Sequence, residues 1–277
     1  MSIATSLLTQ VADELAIPYS LVGNNCSFVR LELPLHDHYL INTHLGLVSD
    51  ADQRIARDKA YHYQLLKDVV AMPVTRSYLD PATRYQQDLK FDSVDKIVAD
   101  IQSNLTLPLI IKKNRGQEGV YVFKVDRPEE IEDRVRLIFN QQKKDYDYLL
   151  LAQEYIKPKH EYRVIAYQQR VYIAYLKDIS QAKFQGNLSP THWQGVKIRE
   201  AGFDKTKQLE KFVSQVFSAW PVSYLGFDIV EDKEGKLWLI EVNSAPGVAK
   251  FIKAVGPGPI LKMYRDILVD LKDKHSL

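Results

Sequence analysis

Two apolar runs, residues 226–230 and 237–242, flank the polar turn Asp232-Lys233-Glu234-Gly235 and read as a β-hairpin. Glu241 and Asn243 are two residues apart on the second strand, so their side chains share a face. Asp228 lies on the partner strand and can face them across the ladder. Two carboxylates and a carboxamide oxygen converging in this way make a hard, all-oxygen site. Mg²⁺ prefers such a site and completes its shell with water and nucleotide phosphates. The same residues also fit a solvated polar face on an edge hairpin. The surrounding apolar residues argue for an interior hairpin, and a buried carboxylate needs a partner.

Three further segments carry chemistry. In residues 108–120 a short apolar strand delivers Lys112, and a loop containing Gly116 and Gly119 follows before a second strand. Glycines let backbone N–H groups approach phosphate oxygens, and the lysine adds a point charge. The GK[ST] ending and following helix of a P-loop are missing, and a basic surface turn fits the segment as well. In residues 153–163 a strand end, Glu154-Tyr155-Ile156, leads through a short connector to Glu161 and Arg163. The connector suits a hinge whose backbone pairs with an adenine edge. Glu161 can accept from ribose hydroxyls, and Arg163 offers a fixed fork for phosphate or carboxylate. Alternating charge on a half-exposed strand is the plainer alternative. Lys59, within Arg57-Asp58-Lys59, and Lys177, after the strand 171–176, are lysines that can reach phosphates or simply face solvent.

Taken together and in order, these elements resemble the ATP-grasp superfamily over residues 52–260. The most specific pieces are Asp228 with Glu241-Val242-Asn243-Ser244-Ala245-Pro246-Gly247, and residues 108–112 with the glycine loop. Within the superfamily the chain looks closest to the ATP-grasp modules of cyanophycin synthetase, glutathione synthase and ribosomal-S6-glutamate-ligase types. The resemblance implies an α+β ATP-grasp fold, with two subdomains sandwiching ATP. It implies that Lys59 and Lys112, with the loop bearing Gly116 and Gly119, hold nucleotide phosphates. Glu154, Tyr155 and Ile156 would lie along adenine, with Glu161 on the ribose. Arg163 would hold the γ-phosphate and the acyl-phosphate, with Lys177 nearby as a second catalytic cation. Asp228, Glu241 and Asn243 would bind Mg²⁺ or Mn²⁺. The implied activity is ATP-dependent joining of a carboxylate to an amine, an amino acid or peptide by family habit, through an acyl-phosphate. Lys113 stands where such proteins usually carry proline, which leaves the loop less rigid and more basic. A kinase on the same fold and an idle nucleotide-binding module are the competing readings.

The remainder of the chain gives organisation. Residues 1–51 read as a reduced N-terminal region, an amphipathic helix followed by strands at 27–33 and 39–43. Residues 52–277 read as the ATP-grasp domain, with subdomains at about 52–155 and 156–277. Helical periodicity covers residues 54–70, 93–104, 128–142, 205–219 and 259–271. Other strands are expected at 74–78, 109–112, 120–125, 148–155, 161–167, 171–176, 226–230 and 237–242. The polar segment 181–191 reads as a mobile lid, and His192, Trp193, Lys197 and Arg199 after it could meet a carboxylate-bearing substrate. His36 and His38 fit a polar turn better than a metal site. A net charge of +2 gives no field for nucleic acid or a membrane. The first 17 residues lack the basic start of a secretory signal, and no apolar run reaches membrane length. One cysteine, Cys26, excludes an internal disulfide and has no activating neighbour in sequence. These features give the expectation of a cytoplasmic enzyme with small-molecule or peptide substrates, acting as a homodimer or with a partner subunit.

Overall fold

The computed structural model describes residues 1–24, 27–116, 119–183 and 194–274. Cys26, most of the expected lid, His192 and Trp193 lie outside them. The architecture is α+β, and every strand pair among the described residues is antiparallel. The N-terminal part contains α1 (Ile3–Glu14) and a three-stranded sheet of β1 (Tyr19–Val22), β2 (Phe28–Leu31) and β3 (His38–Ile41). Helices α2 (Asp50–Arg57) and α3 (Lys59–Leu66) follow. A four-stranded sheet comes next, built from β4 (Thr75–Leu79), β5 (Leu109–Lys113), β6 (Val122–Val125) and β7 (Leu149–Glu154) in the order β4-β7-β5-β6. Helices α4 (Val94–Asn104) and α5 (Glu130–Ile138) are its connections. A five-stranded sheet holds β8 (His160–Tyr167), β9 (Arg170–Asp178), β10 (Lys197–Glu200), β11 (Tyr224–Glu231) and β12 (Leu237–Asn243) in the order β10-β9-β8-β11-β12. Helix α6 (Phe203–Ala219) precedes β11, and α7 (Ala249–Val255) and α8 (Gly258–Lys274) close the chain.

Period-two alternation decides which faces are buried. On the four-stranded sheet Leu109 and Ile111 of β5 and Leu150 and Ala152 of β7 pack under Ile97 and Ile101 of α4 and Ile131 and Val135 of α5. Their neighbours Ile110, Lys112 and Gln153 point the other way, into a cleft. On the five-stranded sheet Val164, Ala166, Leu225 and Phe227 pack against Val213 and Phe217 of α6 and Leu66 of α3. The opposite face is divided. Ile165, Tyr167, Ile173 and Tyr224 share a core with α1, β2, β3 and α8, whereas Glu161, Arg163, Lys177 and Asp228 on the same face line the cleft. One half of this sheet is thus covered by the N-terminal part and α8, and the other half is the floor of the site.

Several elements differ from the sequence expectation. The helix expected over 54–70 is two helices, broken at Asp58, whose backbone is extended (φ −100°, ψ 106°). Its carboxylate caps α3 by accepting from the Tyr61 N–H, and that cap competes with a continuous helix. Residues 52–72, grouped by sequence with the segment up to 155, supply Ala56, Leu66, Val70 and Met72 to the core of the five-stranded sheet. The strands β1 and β10 and helix α7 are additional short elements. No helix among the described residues is long and apolar enough to cross a membrane.

Candidate active site

The floor of the cleft is a charge cluster set by strand register. Asp228 of β11 stands opposite Arg163 of β8 on one side and Glu241 of β12 on the other. Arg163 forks onto Asp228, with Nε donating to Oδ1 at 2.9 Å and Nη2 to Oδ2 at 2.8 Å. Lys177 of β9 donates to Oδ1 of the same carboxylate at 2.8 Å and lies 3.8 Å from Glu161. Burial alone would raise the Asp228 pKa, but Arg163 and Lys177 outweigh it and hold the carboxyl at about 2. Burial opposes the charges of Arg163 and Lys177 too, yet Asp228 keeps both pKa values above their ordinary values. Glu161 is pushed up by burial. The register slips after Asp228, pairing Ile229 with Leu239, so Ile240 has no partner opposite on β11. A Cβ at Gly226, opposite Asn243, would lie 2.6 Å from the Pro246 side chain. Glycine there lets the Pro246-Gly247 segment fold over the hairpin.

Two more lysines named from sequence line the cleft, Lys112 on β5 of the four-stranded sheet and Lys59 at the start of α3. Lys112 donates to Gln153 Oε1 at 2.8 Å, and Gln153 Nε2 donates to Thr75 Oγ1 at 2.7 Å. That chain fixes a buried ammonium on a strand facing the cleft. Burial, with the charge of Lys59 added, lowers the Lys112 pKa to about 8. Lys59 is also buried. Its Nζ donates to the carbonyls of Gly116 at 3.0 Å and Asn114 at 3.4 Å, and lies 3.4 Å from Glu241 Oε1. Lys113, at the position where proline was expected, pairs with Asp145 at 3.2 Å and reaches over the Tyr121 ring.

The structure brings every nucleotide, metal and catalytic residue implied by the resemblance to one cleft of about 630 Å³ between the two larger sheets, whereas Lys197 and Arg199 do not line it. Lys59, Lys112, Gly116, Gly119, Glu154, Tyr155, Ile156, Glu161, Arg163, Lys177, Asp228, Glu241 and Asn243 all line it. Its hinge end is apolar, with Ile110, Val122, Ile156, Val230 and Ile240 on facing walls, the environment a flat purine ring requires. The far end adds residues that sequence reasoning did not single out: Thr43 after β3, Tyr175 of β9 and Lys250 of α7. Tyr175 faces Arg163 in register and stacks on Phe251 of α7. Its place one alternation before Lys177 was the available signal; nothing local in sequence points to Thr43 or Lys250. Arg199 pairs with Asp178 at 2.9 Å on the edge of the sheet and does not line the cleft. His38 is tied to the Leu45 carbonyl at 2.8 Å. Among the described residues no three His, Cys, Asp or Glu side chains converge as a metal centre. Asp228, Glu241 and Asn243, which all line the cleft, are the residues that could hold a divalent cation. A carboxylate has about four acceptor sites, and three are used on Asp228, so the set suits a small divalent cation that takes further oxygens from phosphate.

Solved structures show the same fold. A RiPP-associated ATP-grasp ligase of Chryseobacterium gregarium, in complex with ADP and a leader and core peptide, superposes with a TM-score of 0.62 at 13% identity, covering 96% of this chain and 92% of that one. VanG D-Ala:D-Ser ligase from Enterococcus faecalis gives a TM-score of 0.59 at 17% identity over 84% of this chain. D-alanine–D-alanine ligase from Bacillus anthracis, complexed with ATP, gives 0.51 at 17% identity, covering 85% of this chain and 67% of that one. This chain spans 64% of the length of the Enterococcus protein. No curated protein matches the chain in sequence. The profile of the RimK-like ATP-grasp domain matches residues 56–266, from α2 to α8 and across both walls of the cleft, and the chain belongs to that family.

Proposed function

We propose that this chain is an ATP-dependent ligase that joins a carboxylate to an amine through an acyl-phosphate. The observation that carries the reading is the cleft itself. An apolar hinge end leads to a floor where Arg163, Lys177 and Asp228 are locked together, with Lys112 on the facing wall and Lys59 at the start of α3 lining the same cleft. Adenine fits against Glu154, Tyr155 and Ile156, the ribose against Glu161, and the phosphates between Lys59, Lys112 and the loop bearing Gly116 and Gly119. Asp228, Glu241 and Asn243 would hold Mg²⁺ or Mn²⁺, which when bound neutralises phosphate charge. The four-stranded sheet with α4 and α5 would form the wall over ATP, and the five-stranded sheet with α2 and α3 would form its floor.

The acid substrate enters at the Thr43, Tyr175 and Lys250 end. One carboxylate oxygen attacks the γ-phosphorus, the bond to the β-phosphate oxygen breaks, and ADP leaves. The amine then attacks the acyl carbon. Phosphate departs with that carboxylate oxygen, and the nitrogen gives up a proton. Arg163, rigid through its fork onto Asp228, is placed to stabilise negative charge on the transferring phosphoryl group and on the tetrahedral intermediate. No protein nucleophile takes part. The structural relatives include, by name, ligases of amino acids and one holding a leader and core peptide, so amino acids and peptides are the first substrates to test. With a carboxylate-¹⁸O-labelled amino acid panel, Mg·ATP and amine, one label should appear in inorganic phosphate. A stable phosphorylated product and no amide would identify a kinase instead.

A further inference from the structure

Helix α3 belongs to the core of the five-stranded sheet through Leu66, whereas the loop beginning at Asn114 continues β5 of the four-stranded sheet. The two are joined by contacts concentrated on the first turn of the helix. The Ala60 N–H donates to Asn114 Oδ1 at 2.9 Å. Arg115 donates from Nε and Nη2 to Asp58 Oδ2, each at 3.2 Å. Lys59 donates to the carbonyls of Asn114 and Gly116. The loop is anchored to its own sheet as well, because the Arg115 N–H donates to Asp147 Oδ2 at 2.7 Å and Arg115 Nη2 to the Tyr148 hydroxyl at 3.1 Å. Asn114 is 0% exposed and Asp58 2%. The Asn114 Nδ2 is buried without a hydrogen-bond partner among the described residues. A buried amide with one half unsatisfied is disfavoured, so this side chain is held for what its Oδ1 does. An ammonium has three donors, and those of Lys59 are directed at two loop carbonyls and Glu241.

We propose that Asn114, with the Asp58–Arg115 pair, forms a staple between the two walls of the cleft. It positions residues 114–116, Lys59 and Glu241 as one preorganised phosphate-binding unit. Asn114, Asp58 and Arg115 are positioning residues: Asn114 and Asp58 do not line the cleft, and each acts through the loop or through Lys59. The proposal rests on the reading of the cleft as an ATP site and adds the residues that set its loop. It separates two jobs on adjacent positions. Lys112 is fixed from within its own sheet by Gln153, while Lys59 and the loop are fixed across sheets by the staple.

The test uses the full chain, Mg·ATP as probe, and the variants Asn114→Ala, Asn114→Asp, Arg115→Ala and Arg115→Lys. Two readouts are taken: nucleotide affinity, and amide hydrogen exchange at residues 113–116 and the first turn of α3. Asn114→Ala should weaken Mg·ATP binding by roughly ten-fold or more, as misplaced positioning groups do, and raise exchange in both segments. Exchange in β8 and β11 should stay unchanged. Asn114→Asp keeps the Oδ1 acceptor and should recover most of the affinity. Arg115 is half exposed, so Arg115→Ala leaves the folded chain intact and should show the same pair of effects, partly rescued in Arg115→Lys. Affinity within about two-fold of wild type, with unchanged exchange, in Arg115→Ala and in whichever Asn114 variant folds would overturn the staple. If the wild-type chain binds no nucleotide, the ATP reading fails separately. The staple then stands or falls on whether both alanine variants raise exchange at the α3 turn.

Discussion

Arg163 and Asp228 show how strand register becomes chemistry. Each side chain spends its charge on the other, and the cost is a partly buried ion pair that needs Lys177 and good geometry to be tolerated. The fork matters more than the charge. Arg163→Lys keeps a cation but loses the bidentate bond. Turnover should fall by about two to three orders of magnitude, as when a preorganised oxyanion donor is removed. Nucleotide affinity should change far less, and steady-state kinetics beside direct binding would separate the two. Equal losses in both would place Arg163 in ground-state binding instead. This part of the site was legible in sequence because Glu161 and Arg163, and Glu241 and Asn243, are spaced by two, and period two survives folding. Thr43 and Lys250 were not legible, because they reach the cleft from the turn after β3 and from α7, whose approach depends on tertiary packing alone. The role of Gln153 was hidden for another reason. Its position was read only as the end of a strand, and the structure shows it holding the Lys112 ammonium.

The break between α2 and α3 illustrates how a local bond overrides a pattern. Apolar spacing over 54–70 suits one helix, yet the Asp58 carboxylate caps a new one and receives Arg115 from a distant loop. Periodicity does not register a cap whose second partner lies in another sheet. The same break sets His62 on the buried side of α3. Burial first, and then the charges of Lys59 and Lys112, lower its pKa from 6.5 to about 3. The folded state therefore keeps His62 neutral in a range where the unfolded chain binds a proton. Its contribution to stability is complete above pH 6.5 and is lost as pH falls toward 3, at up to about 1.4 kcal/mol per pH unit. His62→Gln removes this dependence. In urea unfolding, the stability gap between wild type and variant should narrow on acidification below pH 6.5. A gap that stays constant with pH would mean that His62 is already protonated in the fold. Short elements such as β1, β10 and α7 were missed because four to seven residues carry too little periodicity to be read without their neighbours.

The two larger antiparallel sheets face each other across a cleft, and the N-terminal part shares one core with α8 and the covered half of the floor sheet. Leu31 lies fully buried in that shared core. Leu31→Ala should cost about 2–5 kcal/mol, the range for a large-to-small change in a packed core, and near-UV signals from both the N-terminal part and Tyr224 should be lost in a single transition. Two separated transitions would show that the N-terminal part folds independently. Because the cleft is formed by groups from both walls, a ligand that fills it binds the folded chain alone. Mg·ATP at about one hundred times its dissociation constant should raise unfolding free energy by about 2.7 kcal/mol, visible as an upward shift in melting temperature. Alternation and the hairpin signature made the two sheets and their facing residues readable, whereas the packing of α2 and α3 on the far sheet depended on long-range contacts. The most direct measurement of the central claim is ADP and phosphate release with Mg·ATP across a panel of amino acids and dipeptides, beside Asp228→Asn and Glu241→Gln. Release should require both a carboxylate and an amine, yield one amide per ADP, and disappear in both variants. Release that ignores the amine, or survives in both variants, would contradict the claim.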